Sequence, residues 1–379
     1  MTASAALKRT PLFDRHVATG ARVVKFGGWE MPVQYSGIVD EHSAVRNAAG
    51  LFDISHMGEF EVKGRDALTF LQHIATQDVA TIGEGQSNYS LLCRPDGGIV
   101  DDIFIYHLPD GYMVVVNASN IEKDFAWMLD HVHGFDVELT NISDRASMLA
   151  LQGPRAEAIL AKAADPSTAS GQGLDVASLP FHGITTGMLL GDIPALIART
   201  GYTGEDGFEL FIDDDNAEQL WDRLLELGGP EGLKPCGLGA RDSLRFEACL
   251  ALYGHEIADD INPYEAKLGW VVKLDKGDFV GREALRQIKQ AGVGRKLAGF
   301  EVVGRGIARG GYEIRSTDGQ RIGEVTTGMP SPTLGKNLGL GYVPAKQAAE
   351  GSEFDVIVRD RPVRAMVVKT PFYKPRYKK

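Results

Sequence analysis

The sequence predicts an α+β protein whose chain ends in a small β-barrel domain, and two observations support this. Up to about residue 280, segments with helical spacing of apolar residues are mixed with short strand-like segments, without the regular βαβα alternation of a parallel sheet. After Gly281, short strand-like segments are separated by glycine and proline turns, which is typical of a small all-β domain. With 379 residues, the chain is long enough for two or three domains.

The predicted helices all lie within the first 280 residues. The spacing of apolar residues in each helix indicates which face packs against the core. A turn leads into a short helix over 10–18, and further helices are predicted at 33–47, 65–74, 120–131, 216–227 and 238–252. Gly50 is expected to end the second of these helices. Strands are predicted between them, at 59–62, 88–93, 99–107, 112–117, 148–151, 195–199 and 208–212.

The turn Asp96-Gly97-Gly98 joins two of these strands into a predicted hairpin. The remaining strands belong to the C-terminal domain, where each is bounded by turn residues. They are predicted at 297–302, 323–327, 338–343, 354–358 and 363–368.

Composition and charge exclude several classes of function. Hydrophobic residues make up 44% and charged residues 24% of the chain, so a sizeable core can form and wholesale disorder is not expected. The formal net charge of -11 argues against nucleic acid as the main partner, because phosphate binding needs a basic face. No run of about 18 apolar residues occurs, so no membrane association is expected. The first six residues are too short for a signal peptide, and we expect a cytoplasmic protein, or a matrix protein without its transit peptide.

The cysteines and histidines do not form a recognisable metal or disulfide pattern. Cys93, Cys236 and Cys249 are odd in number and lack C-x-x-C spacing, so three free thiols are expected. His56, His107 and His255 are isolated, and no H-x-x-H or H-E-x-x-H sequence occurs. The sequence therefore predicts no metal site.

Two adjacent carboxylates, Asp101 and Asp102, lie within a strand of β-branched residues, although aspartate is a poor strand former. Alternation places them on opposite faces, with Asp102 on the face of Val100, Phe104 and Tyr106. One of them must meet an apolar environment, which raises its pKa or demands a partner. The pattern fits a general acid or base in an aromatic-walled pocket, or an aspartate at a strand start that binds a turn backbone.

Three glycines within residues 201–207 indicate a tight loop that other groups approach closely. No lysine follows as in a phosphate-binding loop, so phosphate binding is not supported. The acids Glu205, Asp206 and Glu209 would repel phosphate and would suit a ligand rich in N–H donors, such as a pterin or a guanidinium. The alternative is an ordinary hairpin loop.

Arg241 lies in the first turn of the helix predicted at 238–252, where the helix dipole disfavours a cation. An arginine at such a position often has a specific task, such as holding a carboxylate. The alternative is a surface ion pair with Asp242 or Glu247.

Taken together, these stretches resemble the aminomethyltransferase family of the glycine cleavage system. The resemblance covers nearly the whole chain in the family's order, and this makes it more specific than any single motif. The segments that carry it are 9–13 (RTPLF), 28–32 (GWEMP), 51–58 (LFDISHMG), 97–102 (GGIVDD), 152–154 (QGP), 201–209 (GYTGEDGFE), 237–247 (GLGARDSLRFE) and 331–335 (SPTLG).

The resemblance implies a three-domain, cloverleaf-like fold with folate in a central funnel. A folate-binding body would span 1–280, with one domain built from 1–50 plus 140–280 and a second from 51–139. Residues 281–379 would form the C-terminal barrel domain. This division is more detailed than the one that the hydrophobic pattern alone supports.

The resemblance also implies a reaction. The enzyme would take the methylene carbon of an aminomethyl group on the lipoyl arm of the H-protein and transfer it to tetrahydrofolate, the acceptor substrate. Ammonia and 5,10-methylenetetrahydrofolate would be formed, and the H-protein would be a transient partner. This chemistry requires neither an enzyme nucleophile nor a metal, since the folate nitrogen is the nucleophile and a carboxylate can take its proton.

By resemblance, Asp102 is the catalytic carboxylate beside the reacting nitrogen, and Asp101 replaces it if the strand register is the other one. The other residues that the resemblance assigns contact the folate. They are Glu209 at the amino-pyrimidine edge, Tyr202 and Tyr89 along the ring, Met57 and Trp270 as apolar wall, Asn117 as a polar contact, Arg241 at the benzoyl-glutamate end and Tyr377 as the closing tyrosine near the C-terminus.

Relatives with this fold include other functions, which the sequence separates in part. Folate-binding repair or assembly factors carry a K-G-C-Y-x-G-Q signature that is absent here. Flavin demethylases carry an N-terminal G-x-G-x-x-G unit, whereas this chain begins directly at the folate domain. A binding module without activity is the third alternative.

A local basic patch would help an acidic chain to dock an acidic H-protein. Basic residues outnumber acids near the N-terminus, where Asp14 is the only acid from Met1 to Lys25. A solvated terminal face is the alternative. The basic residues are Lys8, Arg9, Arg15, Arg22 and Lys25.

Overall fold

The structure is a computed structural model that describes residues 6–164 and 174–378. Helices and strands are mixed along the first 291 residues, and strands alone make up the regular elements after them, apart from one short 3₁₀ turn. The α-helices in the described part of the chain are α1 (Phe13–Ala18), α2 (Ile38–Asn47), α3 (Ala67–Ile74), α4 (Ile121–His131), α5 (Ala156–Ala163), α6 (Ala217–Gly228), α7 (Leu238–Glu247) and α8 (Arg282–Ala291).

The strands form three larger sheets and one two-stranded ribbon. They are β1 (Arg22–Phe26), β2 (Trp29–Gln34), β3 (Ala49–Asp53), β4 (Gly58–Lys63), β5 (Ser87–Cys93), β6 (Ile99–Leu108), β7 (Gly111–Val116), β8 (Glu138–Asn141), β9 (Ala146–Gln152), β10 (Ile184–Leu189), β11 (Ile193–Ala198), β12 (Gly207–Asp213), β13 (Leu233–Pro235), β14 (Arg295–Val302), β15 (Glu313–Arg315), β16 (Arg321–Pro330), β17 (Asn337–Pro344), β18 (Glu353–Val358) and β19 (Arg361–Val367).

The sheets confirm the predicted α+β class and the C-terminal barrel. A six-stranded sheet has the order β10-β11-β12-β9-β3-β13, and a five-stranded sheet has the order β5-β6-β7-β4-β8. The last six strands close into a barrel in the order β14-β17-β16-β15-β18-β19, where β14 also pairs with β19. The finer division at residues 50, 139 and 280 stays a prediction.

The two body sheets pack face to face around a shared apolar cluster. Phe52, Met148 and Phe211 come from the six-stranded sheet, and Tyr106 and Met113 from the five-stranded sheet. Because β6 carries Tyr106 into this interface, residues on the same face of β6 also point between the sheets. The strand that carries the two aspartates therefore lines the junction of the body.

The second predicted helix begins later than expected, and the reason is a buried glutamate. Residues 33–34 belong to β2, and α2 begins at Ile38 after Gly37, whose φ of 130° an L-residue rarely adopts. The Glu41 carboxylate accepts hydrogen bonds from the backbone N–H of Tyr35 (2.6 Å) and Gly37 (3.0 Å). It also accepts one from Gly237 N–H (2.8 Å), so a single carboxylate caps the starts of α2 and α7.

Three other boundaries differ from the prediction. Gly50 does not end a helix but lies in β3, where a Cβ would come within 2.5 Å of Val45 Cγ2. The last body helix stops at Glu247 instead of 252, because the chain turns at Cys249 with a φ of 54°. After Gly281, where only strands were expected, α8 comes first, between two glycines that each have a positive φ.

Arg46 on α2 is the centre of a buried ionic network. Its guanidinium binds Glu205 at 2.9 Å, Glu247 at 3.0 Å and the Thr203 carbonyl at 2.8 Å, and it stacks over the Tyr373 ring at 3.8 Å. Both carboxylates are almost fully buried. One side chain thus connects α2, the glycine loop, α7 and the C-terminal segment.

None of the helices in ranges 6–164 and 174–378 is long and apolar enough to cross a membrane.

We expect Arg46→Met to lower the free energy of unfolding by about 3–5 kcal/mol, because it leaves two buried carboxylates without their cation. Thermal and urea unfolding of the purified protein would measure the loss. The matched control is Arg223→Met, since Arg223 pairs with Glu226 on the exposed surface, and an exposed pair contributes about 0–1 kcal/mol. Equal stability of the two variants would refute a central role for Arg46.

Candidate active site

The site begins at the carboxylate pair on β6. Asp101 is fully buried. It accepts hydrogen bonds from Asn117 backbone N–H (3.2 Å), from Asn117 Nδ2 (2.8 Å) and from Asn120 Nδ2 (2.8 Å). Asn117 directly follows β7, the strand beside β6, so sheet register places it next to both aspartates. These three N–H donors compensate for the free-energy cost of burying the carboxylate.

Asp102 is the accessible member of the pair. It accepts hydrogen bonds from Asn117 Nδ2 (2.7 Å) and from the Tyr89 hydroxyl (3.0 Å), and it is only partly buried. Burial, and next the negative charge of Asp101, raise the pKa of Asp102 to about 7. A carboxyl group with this pKa can accept and release a proton near neutral pH.

The strand faces agree with alternation except at one residue. Phe104 and Tyr106 lie on the face of Asp102, as predicted, and both pack into the interface between the sheets. Val100 instead packs with Ile103 in the opposite core. The reason is a β-bulge, because Leu92 pairs with Asp101 whereas the next residue, Cys93, pairs with Ile99.

An aromatic wall continues from Asp102 along the sheet. The Tyr89 ring stacks on Trp270, with centroids 5.9 Å apart, and lies 6.4 Å from Phe104. Phe104 in turn lies 5.3 Å from Tyr106. Trp270 remains 58% exposed, so one of its faces is open to a ligand.

Glu209 on β12 lies at the other end of this wall. The Tyr106 hydroxyl (3.3 Å) and the Thr200 hydroxyl both donate to its Oε2. Burial raises the pKa of Glu209, and Arg241 partly opposes this effect. Among the described residues no donor binds Oε1, so this oxygen is available to N–H groups of a ligand.

Arg241 lies beside Glu209 and packs over the Tyr202 ring, with its guanidinium carbon 4.7 Å from the ring centroid. In the described part of the chain, no carboxylate or carbonyl accepts a hydrogen bond from its side chain. The surface ion-pair alternative is wrong, because Asp242 binds Arg245 at 2.8 Å and Glu247 binds Arg46. Five N–H donors of a partly buried cation are thus available to an anionic ligand.

His56 is a buried neighbour of Arg241. Burial, and then the charge of Arg241, lower the pKa of His56 to about 4, so its imidazole is neutral at neutral pH. A neutral ring adds no positive charge next to the guanidinium.

The glycine loop has close packing but not the acidic character that was expected. A Cβ on Gly201 would lie 1.9 Å from Gln152 Oε1, so only glycine fits there. Glu205 pairs with Arg46, and Asp206 pairs with Arg199 at 2.5 Å, so neither acid serves a ligand. Of the three acids assigned to the loop by charge, only Glu209 faces the wall.

The structure thus places most of the predicted residues around one ring, in which two of the links are electrostatic effects and not direct contacts. Asp102, Tyr89, Asn117 and Trp270 form one group, and Glu209, Tyr202 and Arg241 form another. Phe104 and Tyr106 connect the two groups on one side. On the other side, Asp102 lies near enough to Tyr202 to raise the pKa of its hydroxyl, although burial is the larger cause.

Met57 and Tyr377 lie at the edge of this ring. Met57 is partly buried and packs against the cluster that contains Tyr106. Tyr377 stacks on Phe181 with centroids 4.5 Å apart, and Phe181 reaches Phe104 through His182. These contacts connect the C-terminal segment to the aromatic wall of the candidate site.

Several residues of the candidate site were not predicted from the sequence. Phe104 and Tyr106 could have been found, because alternation already placed them on the face of Asp102. Thr200, Asn120 and His182 carry no local signal, since each is brought to the site by another sheet, helix or loop. Within the described ranges, no group of three or more His, Cys, Asp and Glu side chains is arranged to hold a metal ion.

A separate cleft of about 550 Å³ contains none of the predicted site residues. Its lining mixes Lys273, Lys276 and Lys289 with Asp78 and Asp275. The Lys276 ammonium is already used, because it donates to the Gln72 and Ala75 carbonyls at the end of α3. This cleft is not a competing candidate for the active site.

Two family descriptions match the chain. The GCVT N-terminal domain matches residues 12–276, and the glycine cleavage T-protein C-terminal barrel domain matches residues 295–374. Among curated relatives, the aminomethyltransferase of Herpetosiphon aurantiacus is 59% identical over 374 residues, which is 98% of this chain and 100% of the relative. That of Caldanaerobacter subterraneus subsp. tengcongensis is 48% identical, with 98% of both chains covered.

A solved structure is similar over the same length. The glycine cleavage system aminomethyltransferase T from Bartonella henselae superposes with a TM-score of 0.91 at 36% identity. The similarity covers 98% of this chain and 100% of that one.

We expect the raised pKa of Asp102 to make the folded protein less stable as pH rises. The folded state binds this proton more tightly than the unfolded state, so stability is lost between the ordinary pKa of 3.8 and about 7. Asp102→Asn should therefore gain melting temperature over the wild type by a few degrees at pH 8 and by less at pH 5.

Differential scanning calorimetry at both pH values would measure this gain. Asp130→Asn is the matched control, because Asp130 is exposed on α4. A gain for Asp102→Asn that is equal at the two pH values would contradict the proton linkage.

Proposed function

The chain belongs to the glycine cleavage T-protein family of aminomethyltransferases, and from this premise we propose its full reaction. The enzyme transfers the methylene carbon of an aminomethyl group on the lipoyl arm of H-protein to tetrahydrofolate. Ammonia leaves, 5,10-methylenetetrahydrofolate forms, and the arm remains as a dithiol. The observation that carries the proposal is Asp102, a partly exposed carboxyl group with a pKa of about 7 in an aromatic wall.

Asp102 supplies the acid–base chemistry of this reaction. One folate nitrogen attacks the aminomethyl carbon while the bond from this carbon to the amino group breaks, and the proton of the attacking nitrogen is passed to the leaving ammonia. The second folate nitrogen then attacks the same carbon while the carbon–sulfur bond breaks, and its proton goes to the sulfur, which leaves the lipoyl arm as a dithiol. Asp102 accepts the proton of the attacking nitrogen, and its negative charge stabilises cationic species along the path. Asn117 and Tyr89 hold the carboxylate in position through the hydrogen bonds described above.

The residues across the ring fit the two ends of a folate. Glu209 presents a free acceptor oxygen to the amino-pyrimidine edge, which consists of N–H donors. Arg241 presents unpaired donors to the carboxylate of the benzoyl-glutamate end. Tyr89, Tyr202 and Trp270 provide flat surfaces along the ring system.

Docking of the H-protein depends less on the N-terminal basic residues than their number suggests. Lys8 pairs with Asp144 at 3.6 Å, and Arg9 pairs with Glu30 at 2.6 Å. Arg15 pairs with Glu218 at 3.0 Å. Because three of the five cations have acidic partners, we assign the transient H-protein complex to the open side of the ring near Trp270 rather than to this terminal cluster.

Asp102→Asn should reduce turnover by about 10²–10⁴-fold, because it removes a proton acceptor while it keeps the shape of the side chain. The assay is ammonia release from aminomethylated H-protein in the presence of tetrahydrofolate. Asp101→Asn is the comparison, because Asp101 is buried behind Asp102. An Asp102→Asn enzyme with normal turnover beside an inactive Asp101→Asn enzyme would assign the chemistry to the other carboxylate.

Arg241→Ala should weaken tetrahydrofolate binding by roughly 1.5–3 kcal/mol, the range for a charge-assisted hydrogen bond. Arg241→Lys should restore only part of this loss, because a lysine cannot form the two parallel bonds of a guanidinium. Isothermal titration calorimetry measures both variants. Unchanged affinity in Arg241→Ala would remove this residue from the folate site.

A further inference from the structure

Asp124 is a buried acid that the proposed chemistry does not use. It lies in the first turn of α4, is fully buried, and has no hydrogen-bond donor at either carboxylate oxygen in the described part of the chain. The Lys123 ammonium is 3.9 Å from its Oδ1 and donates to the Val100 carbonyl (2.5 Å) and the Tyr253 hydroxyl (2.9 Å) instead. An ionised carboxylate without donors is costly in the interior, so Asp124 is a neutral acid with one proton to donate.

The acceptor for this proton is Asp101. The two carboxyl groups are in hydrogen-bond contact, and burial followed by this contact raises the pKa of Asp124 well above its ordinary value. Asn120, one helical turn before Asp124, donates to the same Asp101. Two buried acids in contact are stable when they share one proton, and the pair then carries a single negative charge.

Asn117 transmits the arrangement of this pair to Asp102. Its amide nitrogen has two hydrogens, and it donates to Asp101 Oδ1 at 2.8 Å and to Asp102 Oδ1 at 2.7 Å. A group that fixes the position of Asp101 therefore also fixes the orientation of the Asn117 amide, which in turn holds Asp102.

We propose that Asp124 is a positioning residue, whose carboxylic acid donates to Asp101 and thereby keeps Asp101 in place, Asn117 oriented and Asp102 ready to accept a proton. This inference rests on the proposed role of Asp102. It assigns to α4 a part in the chemistry that takes place on the opposite face of β6. The titratable and charged groups that face these three acids are Lys123, Tyr253, Asp259, Tyr89 and Tyr202.

Two variants of Asp124 separate this role from simple packing. Asp124→Asn keeps a donor for Asp101, and Asp124→Leu removes the donor at similar size. In the leucine variant Asn117 loses its fixed orientation, so the hydrogen bond from Asn117 that lowers the pKa of Asp102 weakens. We expect the acidic midpoint of kcat/KM for tetrahydrofolate to move to higher pH by about 0.5–1 unit, and turnover to fall about tenfold. The asparagine variant should keep the wild-type midpoint and most of the turnover.

An infrared measurement tests the same proposal without any assay of activity. At pH 8 the difference spectrum of the wild type minus Asp124→Asn should contain the C=O stretch of a protonated carboxyl group. The difference is needed because burial also raises the pKa of Glu59, whose carboxyl group adds a band that both proteins share. Difference spectra against Asp102→Asn would follow the titration of Asp102 itself in each Asp124 variant. If the leucine variant does not fold, the comparison of the wild type with Asp124→Asn decides the question.

Three results would overturn the proposal. They are the absence of the protonated-carboxyl band from this difference spectrum, an unchanged or lowered midpoint in Asp124→Leu, and equal shifts in the leucine and asparagine variants. If the band is present and the titration of Asp102 shifts, but the wild type transfers no aminomethyl carbon, the proposed function fails and the positioning role of Asp124 stands.

Discussion

The buried guanidinium of Arg46 is the contact on which the shape of the active site depends. It neutralises Glu205 in the glycine loop and Glu247 at the end of α7, and it packs against Tyr373 of the C-terminal segment. Its Nε also contacts Thr333, which belongs to the barrel side of the molecule. Because each of these elements carries or borders a residue of the site, one desolvated cation sets their relative positions.

The two adjacent aspartates of β6 differ in their burial and in their hydrogen-bond donors. Two adjacent carboxylates cannot both be buried and charged without strong donors. Asp101 receives three N–H groups and stays inside, whereas Asp102 shares a single amide of Asn117 and opens towards the aromatic wall. The like charge of the first and the burial of the second produce an acid–base group that works near neutral pH. Strand alternation thus gives two neighbouring aspartates different environments, which is the basis of the different roles proposed for them.

The sequence predicted much of this where the signal is local. The hairpin of β5 and β6, most of the barrel strands and the position of Asp102 on the face of Phe104 and Tyr106 follow from alternation and turn residues, and the structure agrees. Predictions failed where a distant group intervened. Glu205 was predicted from its charge to face a ligand, but it forms an ion pair with Arg46. The second helix was predicted to begin at residue 33, but residues 33–34 belong to β2 and the helix begins after Gly37, whose N–H is capped by Glu41.

The sequence by itself therefore determined the α+β class, the C-terminal barrel and the face of β6 on which Asp102 lies, because periodicity and turn chemistry act between near neighbours in the chain. Only the tertiary structure decided that Arg241 has no internal carboxylate, that Asn117 joins the two aspartates, and that Asp124 lies against Asp101. These facts depend on which groups meet after folding. A pKa or an unpaired donor is set by desolvation and by neighbours that lie far away in sequence, and no local pattern encodes them.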